Sequence, residues 1–195
     1  MAYFPLFLDV QNRPCLVIGG GQVAHRKIVA LLACGARVAV VSPQISAGLK
    51  KLARGDKVRL KKRPFRPADL AGMELAVAAT GDQQVNRLAV REARRRKVWI
   101  NVVDQPKLCS FTLPSVVRRG KLTLAISTGG ISPALSKWIR KDLETRYGPE
   151  FSRLLTKAPG FRKRVHERVR SPARRKRLLE KALKAYLRAL ELPAV

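Results

Sequence analysis

The chain is short of acid. Its 195 residues carry 13 Asp and Glu against 41 Lys and Arg, a formal net charge of +28. A charge of that size repels itself unless something anionic visits it. A nucleic acid, an acidic membrane surface and a polyanionic small molecule each meet that requirement; a plainly solvated basic surface is the alternative. Cysteine is scarce as well. Cys15, Cys34 and Cys109 are odd in number, no two have CxxC spacing, and His25 and His166 are the only histidines. That pattern argues against a disulfide framework and against a zinc site, so free thiols in a reducing compartment are expected and no metal ligand is assigned. No apolar run approaches the roughly 18 residues that a bilayer-spanning helix needs. The opening "MAYFPLFLDVQNRPC" has no basic leader and no small-residue cleavage site after an apolar core, so no signal peptide is read and a cytoplasmic protein without membrane attachment is expected. Aromatics are few. Phe151, Phe161 and Tyr186 are those of the basic C-terminal stretch, which gives it no evident base-stacking platform, and no recognition-helix motif is seen.

What is present is an alternation of strands and helices. "RPCLVIG" (13–19) reads as a short buried strand ended by glycine,. From Gln22 to Cys34 the apolar side chains Val23, Ile28, Leu31 and Leu32 fall at helical spacing with Ala24 beside them, and Gly35 stops the helix,. "RVAVVSP" (37–43) is the second strand, completing one βαβ unit,. A weak helix in "SAGLKKLARG", an edge strand in "KVRLKKRPF" and a buried strand in "ELAVAAT" (74–80) follow,. Asp82 can cap a helix to about Lys97 with Val85, Leu88, Ala89 and Ala93 inward, and "VWINVVD" (98–104) is the fifth strand,. This pattern predicts an α/β, Rossmann-like parallel sheet over residues 1–112.

The pattern then changes. "SFTLPSVVRRGKLTLAIST" (110–128) reads as two strands around an Arg-Gly turn, and Ser132 and Pro133 open a helix with Leu135, Trp138, Ile139 and Leu143 on one face,. This mixed α/β segment (113–148) is too small to stand alone, and two copies packing together would solve that; a homodimer is expected here. Residues 149–195 read as a basic helical domain. Leu179, Ala182, Leu183, Tyr186 and Leu190 line up at helical spacing within it,.

Two loops carry the candidate chemistry. Gly19-x-Gly21-x-x-Ala24 lies between a strand and a helix, which is the setting of a dinucleotide fingerprint,. Gly19 permits the tight turn, Gly21 lets the backbone approach a pyrophosphate, and Ala24 lets the helix pack close to the sheet. The helix N-terminus adds free N–H groups and partial positive charge. The carboxylate that usually holds the ribose at the end of the second strand is missing; Ser42 and Gln44 stand there instead. These residues leave NAD and NADP both open. His25, Arg26 and Lys27 either touch a phosphate or are solvated. Asp104 ends the fifth strand, where ligands of open α/β sheets bind. It either caps the turn into "QPK" or takes a proton beside a nicotinamide. "STGGISP" (127–133) offers hydroxyls, two glycines and a helix entry, which can cradle carboxylates or phosphates or serve only as a helix entry,.

Together, "LFLDVQNRPCLVIGGGQVAHRKIVALLACGARVAVVSP", "AVAATGDQQVN", "INVVDQPKLCSFTLPSVVRRGKL" and "AISTGGISPALSKWIRKDLE" resemble, in order and spacing, the precorrin-2 dehydrogenase family and the dehydrogenase–ferrochelatase part of siroheme synthase. The likeness runs from residue 3 to about 148. It implies NAD-dependent oxidation of precorrin-2, an octacarboxylate tetrapyrrole, to sirohydrochlorin, followed in some members by ferrous iron insertion. It also implies a homodimer. The family's aspartate falls on Asp104 as the catalytic group. The family's nucleotide contacts fall on Gln22 and Val23 after the first strand and on Pro43 and Gln44 after the second; Gly19, Gly21 and Ala24 of the fingerprint, Ser42 and Thr80 complete the expected nucleotide site. From the residues themselves, Ser127, Thr128, Gly129 and Gly130 are the expected substrate contacts. The rival readings are a non-catalytic NAD(H)-sensing module and a nucleic-acid-binding protein.

Overall fold

A computed structural model describes residues 3–54 and 58–190. Gly55 and Lys57, at the ends of a predicted helix and strand, lie outside the described residues, as does the end of the basic C-terminal stretch. The chain divides into two compact units, Met1–Leu113 and Pro114–Val195.

In the first unit, β1 (Pro14–Ile18), β2 (Arg37–Val41), β3 (Val58–Lys61), β4 (Leu75–Ala78) and β5 (Trp99–Val102) form one sheet. Its order is β3-β2-β1-β4-β5, and every pairing is parallel. Strands buried on both faces need unbroken apolar runs, and β1 and β4 supply "PCLVI" and "LAVA". The helices α1 (Gln22–Ala33), α2 (Ala47–Leu52) and α3 (Gln83–Arg95) connect the strands. Alternate residues of β1 therefore serve opposite cores. Cys15 and Val17 pack with Ala24 and Ile28 of α1, while Leu16 and Ile18 pack with Ala89, Val90 and Ala93 of α3.

One detail of α3 departs from the apolar spacing. Its buried side is Asn86, Ala89, Val90, Glu92 and Ala93, and Leu88 is only half-buried beside Arg87 and Arg91. Polar anchors account for the difference. Asp82 caps the helix through the N–H groups of Gln84 and Val85, and Asn86 Nδ2 donates to Thr80 O at 3.1 Å. These bonds set the helix's rotation together with its apolar stripe.

The strand order reverses at β1, with β2 and β3 on one side and β4 and β5 on the other. In open parallel sheets such a switch point opens a crevice beyond the carboxyl ends of the strands, because successive connections leave on opposite faces. The glycine loop after β1 lies at that place.

In the second unit, β6 (Ser115–Arg119) and β7 (Leu122–Ile126) form an antiparallel hairpin around Gly120. Helix α4 (Pro133–Arg146) packs on both strands, and α5 (Glu150–Arg168) packs on β7. Helix α6 (Pro172–Ala189) pairs with α5, and Tyr186 Oη donates to Glu150 O at 3.0 Å. Of the apolar line on α6, Leu179, Ala182, Tyr186 and Leu190 are half-buried, whereas Leu183 is exposed. No helix among the described residues is long and apolar enough to cross a membrane.

Candidate nucleotide site and the aspartate at the sheet edge

The three glycines after β1 have different reasons for being glycine. Gly19 has φ +126°, and a Cβ there would lie 2.3 Å from Ala79 O, in the loop after β4. Gly20 would drive a Cβ to 1.8 Å from Gln44 O, in the loop after β2. Both contacts are with backbone, so neither neighbour can swing aside. At Gly21 an added Cβ would meet nothing within 4 Å. This residue is the N-cap of α1, in extended geometry, and no side chain caps the helix. The first two glycines thus close the loops after β4 and β2 onto the loop after β1. The third leaves the helix entry open.

Gln22 is exposed and Val23 half-buried at that entry, and Ala24 is fully buried against the sheet. An uncapped helix start with its amides exposed suits a pyrophosphate. This open cradle is the observation by which the residues fit a dinucleotide. At the end of β2, Ser42 is buried, and Pro43 and Gln44 are exposed. Ser46 N–H donates to Gly20 O at 3.2 Å, which ties the two loops together. Thr80 is half-buried after β4; its Oγ1 accepts from the Asp82 N–H at 3.1 Å.

Of the three basic residues that open α1, His25 lies against Gly48 of α2 and Arg26 is exposed. Lys27 is half-buried and in electrostatic reach of Asp104. Burial pushes the Lys27 ammonium below its ordinary range, Arg26 adds to that, and Asp104 pulls the other way,.

Asp104 lies just beyond β5, on the same edge of the sheet as the glycine loop. Its backbone is in the left-handed region, φ +59°. It is the third residue of a turn closed by the Gln105 N–H on Val102 O at 3.3 Å. Glycine and asparagine are usual at such a position; aspartate tolerates it better than most. The carboxylate is exposed and accepts no hydrogen bond among the described residues, so it does not cap the turn.

The second glycine pair is in the other unit. Ser127 Oγ accepts from Gly129 N at 3.2 Å, and Thr128 Oγ1 accepts from Ser132 N at 3.2 Å and donates to Ser132 O at 3.0 Å. Both hydroxyls therefore close the loop on itself. Gly129 and Gly130, with φ +65° and +82°, border open space, so the backbone at these two residues is what the loop presents.

The sequence motif does not single out Gly20, because its constraint is a contact with residue 44. Lys27 has no signal beyond its charge. Among the described residues no three His, Cys, Asp or Glu gather as a metal site.

Comparison with known proteins agrees with this geometry. Residues 6–115 match the family described as "Putative NAD(P)-binding", and residues 119–146 match the family described as "Sirohaem biosynthesis protein central". The first unit is thus a nicotinamide-dinucleotide-binding domain. A siroheme synthase of Methylobacillus flagellatus is 41% identical over 176 residues, covering 90% of this chain and 38% of that protein. A siroheme synthase of Nitrosospira multiformis is 41% identical over 187 residues, covering 94% of this chain and 40% of that protein. The solved structure of "SirC, precorrin-2 dehydrogenase" superposes with a TM-score of 0.77 at 31% identity, covering 92% of this chain and 88% of that one. The chain belongs to the siroheme synthase and precorrin-2 dehydrogenase family. It spans about two-fifths of the length of the curated siroheme synthases it matches.

Proposed function

We propose that the protein oxidises precorrin-2 to sirohydrochlorin with NAD as the acceptor. The observation that carries this reading is the pairing of an open, uncapped α1 entry at Gly21 with an unbonded Asp104 carboxylate, both at the carboxyl edge of one parallel sheet.

Gly19, Gly21, Gln22, Val23 and Ala24 hold the pyrophosphate on the α1 amides, with Ser42, Pro43, Gln44 and Thr80 around the rest of the nucleotide. Bound NAD supplies a two-electron acceptor. The oxidation removes one hydride and one proton from the tetrapyrrole, and Asp104 takes the proton as general base. Lys27 places a positive charge in reach of that carboxylate. The choice of NAD over NADP rests on the neighbouring cations. Lys61, the last residue of β3, and Arg63, just beyond it, are already bonded to Asp69 at 2.9 and 2.6 Å, and the β2 end itself carries no charge for a 2′-phosphate.

Gly129 and Gly130, with Ser127 and Thr128 shaping their loop, present backbone N–H groups to substrate carboxylates. The +28 charge concentrates an eight-carboxylate substrate around the molecule,. The active form is a cytoplasmic homodimer joined through the second unit, where Ile131 and Trp138 are 90% and 66% exposed beside Leu135.

Purified protein is incubated anaerobically with enzymatically made precorrin-2 and NAD, without metal, and the sirohydrochlorin spectrum is followed. NAD-dependent formation is expected, and Asp104→Asn is expected to lower kcat by roughly a hundredfold with the KM for NAD unchanged. No product with either NAD or NADP overturns the function. Full turnover by Asp104→Asn overturns the base. Ferrous iron added to the same sample reads chelation separately.

A further inference from the structure

The turn that carries Asp104 is fastened from beneath by one sulfur atom. After Asp104 the chain makes a short 3-10 turn (Pro106–Leu108) and comes back along β5. Ser110 N–H donates to Ile100 O at 2.8 Å, and Ser110 Oγ bonds both the N–H and the C=O of Ile100. This return places Cys109 inside the bend. Its Sγ accepts from the Val102 N–H at 3.1 Å and lies 3.6 Å from Asn101 Nδ2. Its S–H has two carbonyls in range, Val102 O at 3.2 Å and Gln105 O at 3.3 Å. These partners are the two ends of the Asp104 turn. Burial pushes the thiol above its ordinary range, so it stays protonated and keeps the proton that those carbonyls accept,.

We infer that Cys109 is a positioning residue for Asp104: its thiol ties Val102 to Gln105 and so holds the left-handed backbone that aims the carboxylate into the crevice. A left-handed aspartate carries a backbone cost and persists only where the surroundings fix it. Gln105 N on Val102 O, at 3.3 Å, is a long bond to do that alone,. Cys109 also packs at the margin of the core on the α3 side, but its sulfur is met by four polar atoms, three at the end of β5 and one on the Asp104 turn. Serine can repeat the donor and acceptor pattern. Alanine and valine cannot.

The inference rests on Asp104 as the base, and the experiment separates the two. Cys109→Ala and Cys109→Ser are made in the full chain, each also in an Asp104→Asn background. Turnover of precorrin-2 is measured together with the backbone NMR chemical shifts of Asp104, which report its φ. Cys109→Ala is expected to lower kcat by roughly 10- to 100-fold, as misplacement of a catalytic group does, while the KM for NAD stays within about twofold. Its Asp104 backbone shifts should move away from the wild-type values of a left-handed residue, Cys109→Ser should restore most of both, and the alanine change should cost nothing further once Asp104 is Asn. Asp104 backbone shifts identical in wild type and Cys109→Ala overturn the inference, whatever turnover does. Wild-type turnover by Asp104→Asn overturns the base instead, and the backbone shifts still decide whether Cys109 holds the turn. If Cys109→Ala does not fold, Cys109→Val keeps the volume without the hydrogen bonds and is read the same way.

Discussion

Gly20 and Gly21 are adjacent, carry the same absent side chain, and differ in what a methyl group would meet. At Gly20 it meets a carbonyl at 1.8 Å; at Gly21 it meets nothing within 4 Å. Gly20→Ala is therefore expected to destabilise the fold by several kcal/mol, in the range of severe overpacking. Gly21→Ala, at φ −86°, should leave the melting temperature within about 2 °C of wild type and weaken NAD binding about tenfold or more by obstructing the pyrophosphate. Thermal melts and NADH fluorescence titrations check both; tight NADH binding by a well-folded Gly21→Ala protein would remove Gly21 from the cradle. Spacing in the chain is enough to name Gly19, Gly21 and Ala24, since all three are positions of the dinucleotide fingerprint, although the contact of Gly19 with Ala79 O appears only in the fold,. It is silent on Gly20, whose partner is 24 residues away, and on Cys109, whose partners appear only when the chain doubles back along β5. Alternation alone places Asp104 at a strand end. Its left-handed backbone, and the absence of any bond that would make it a turn cap, require coordinates.

At the scale of elements, the strands are the most legible part, because β-branched runs between glycines and charged segments have few other solutions. The rotation of α3 is less so: Leu88 fits the apolar spacing, but Asn86 on Thr80 O turns Ala89, Val90 and Ala93 inward instead. Pro159 and Gly160 form a dipeptide that normally punctuates, yet α5 runs through both. The carboxylate of Asp69 is another element-level device invisible in the sequence. Buried after β3, it accepts from Lys61, from both terminal nitrogens of Arg63 and from the Arg66 N–H. Burial alone would raise its pKa; these bonds outweigh that and hold it well below the usual carboxylate range,. Glu92, bonded to Arg95 and Arg96, is likewise held down to about 2. A carboxylate with a depressed folded pKa adds stability above its unfolded value and loses it as pH falls through the folded one. Denaturant unfolding should thus show wild-type stability level above about pH 5 and falling below about pH 4. Asp69→Asn is expected to be less stable by roughly 2 kcal/mol at neutral pH, with a shallower acid limb, so that the two curves converge. Parallel curves would mean that Asp69 is not the titrating group.

The whole molecule is two units of unequal self-sufficiency. The first has two apolar cores and a five-stranded sheet; the second builds on a two-stranded hairpin, which by itself is marginal in water,. In the proposed homodimer, exposed Ile131, Leu135 and Trp138 are the surface that a second copy would cover,. Sedimentation should find a dimer, and Trp138→Lys should shift it to monomer with the first unit still binding NADH. A wild-type monomer that turns over precorrin-2 would remove the dimer from the mechanism. The smallness of this segment and the apolar stripe of α4 are legible in the sequence; that Leu135 and Trp138 of the stripe are exposed while Ile139 and Leu143 are half-buried is not.

The contact of Gly20 with the Gln44 carbonyl, together with the Ser46 bond to Gly20 O, means that the two lips of the nucleotide crevice are assembled by folding and not by the ligand. Calorimetry should then see a modest heat-capacity change, set by the surface the nucleotide itself covers, with no added contribution from loops ordering around it. The entropy of holding those loops is lost once, when the chain folds, and not again at each turnover.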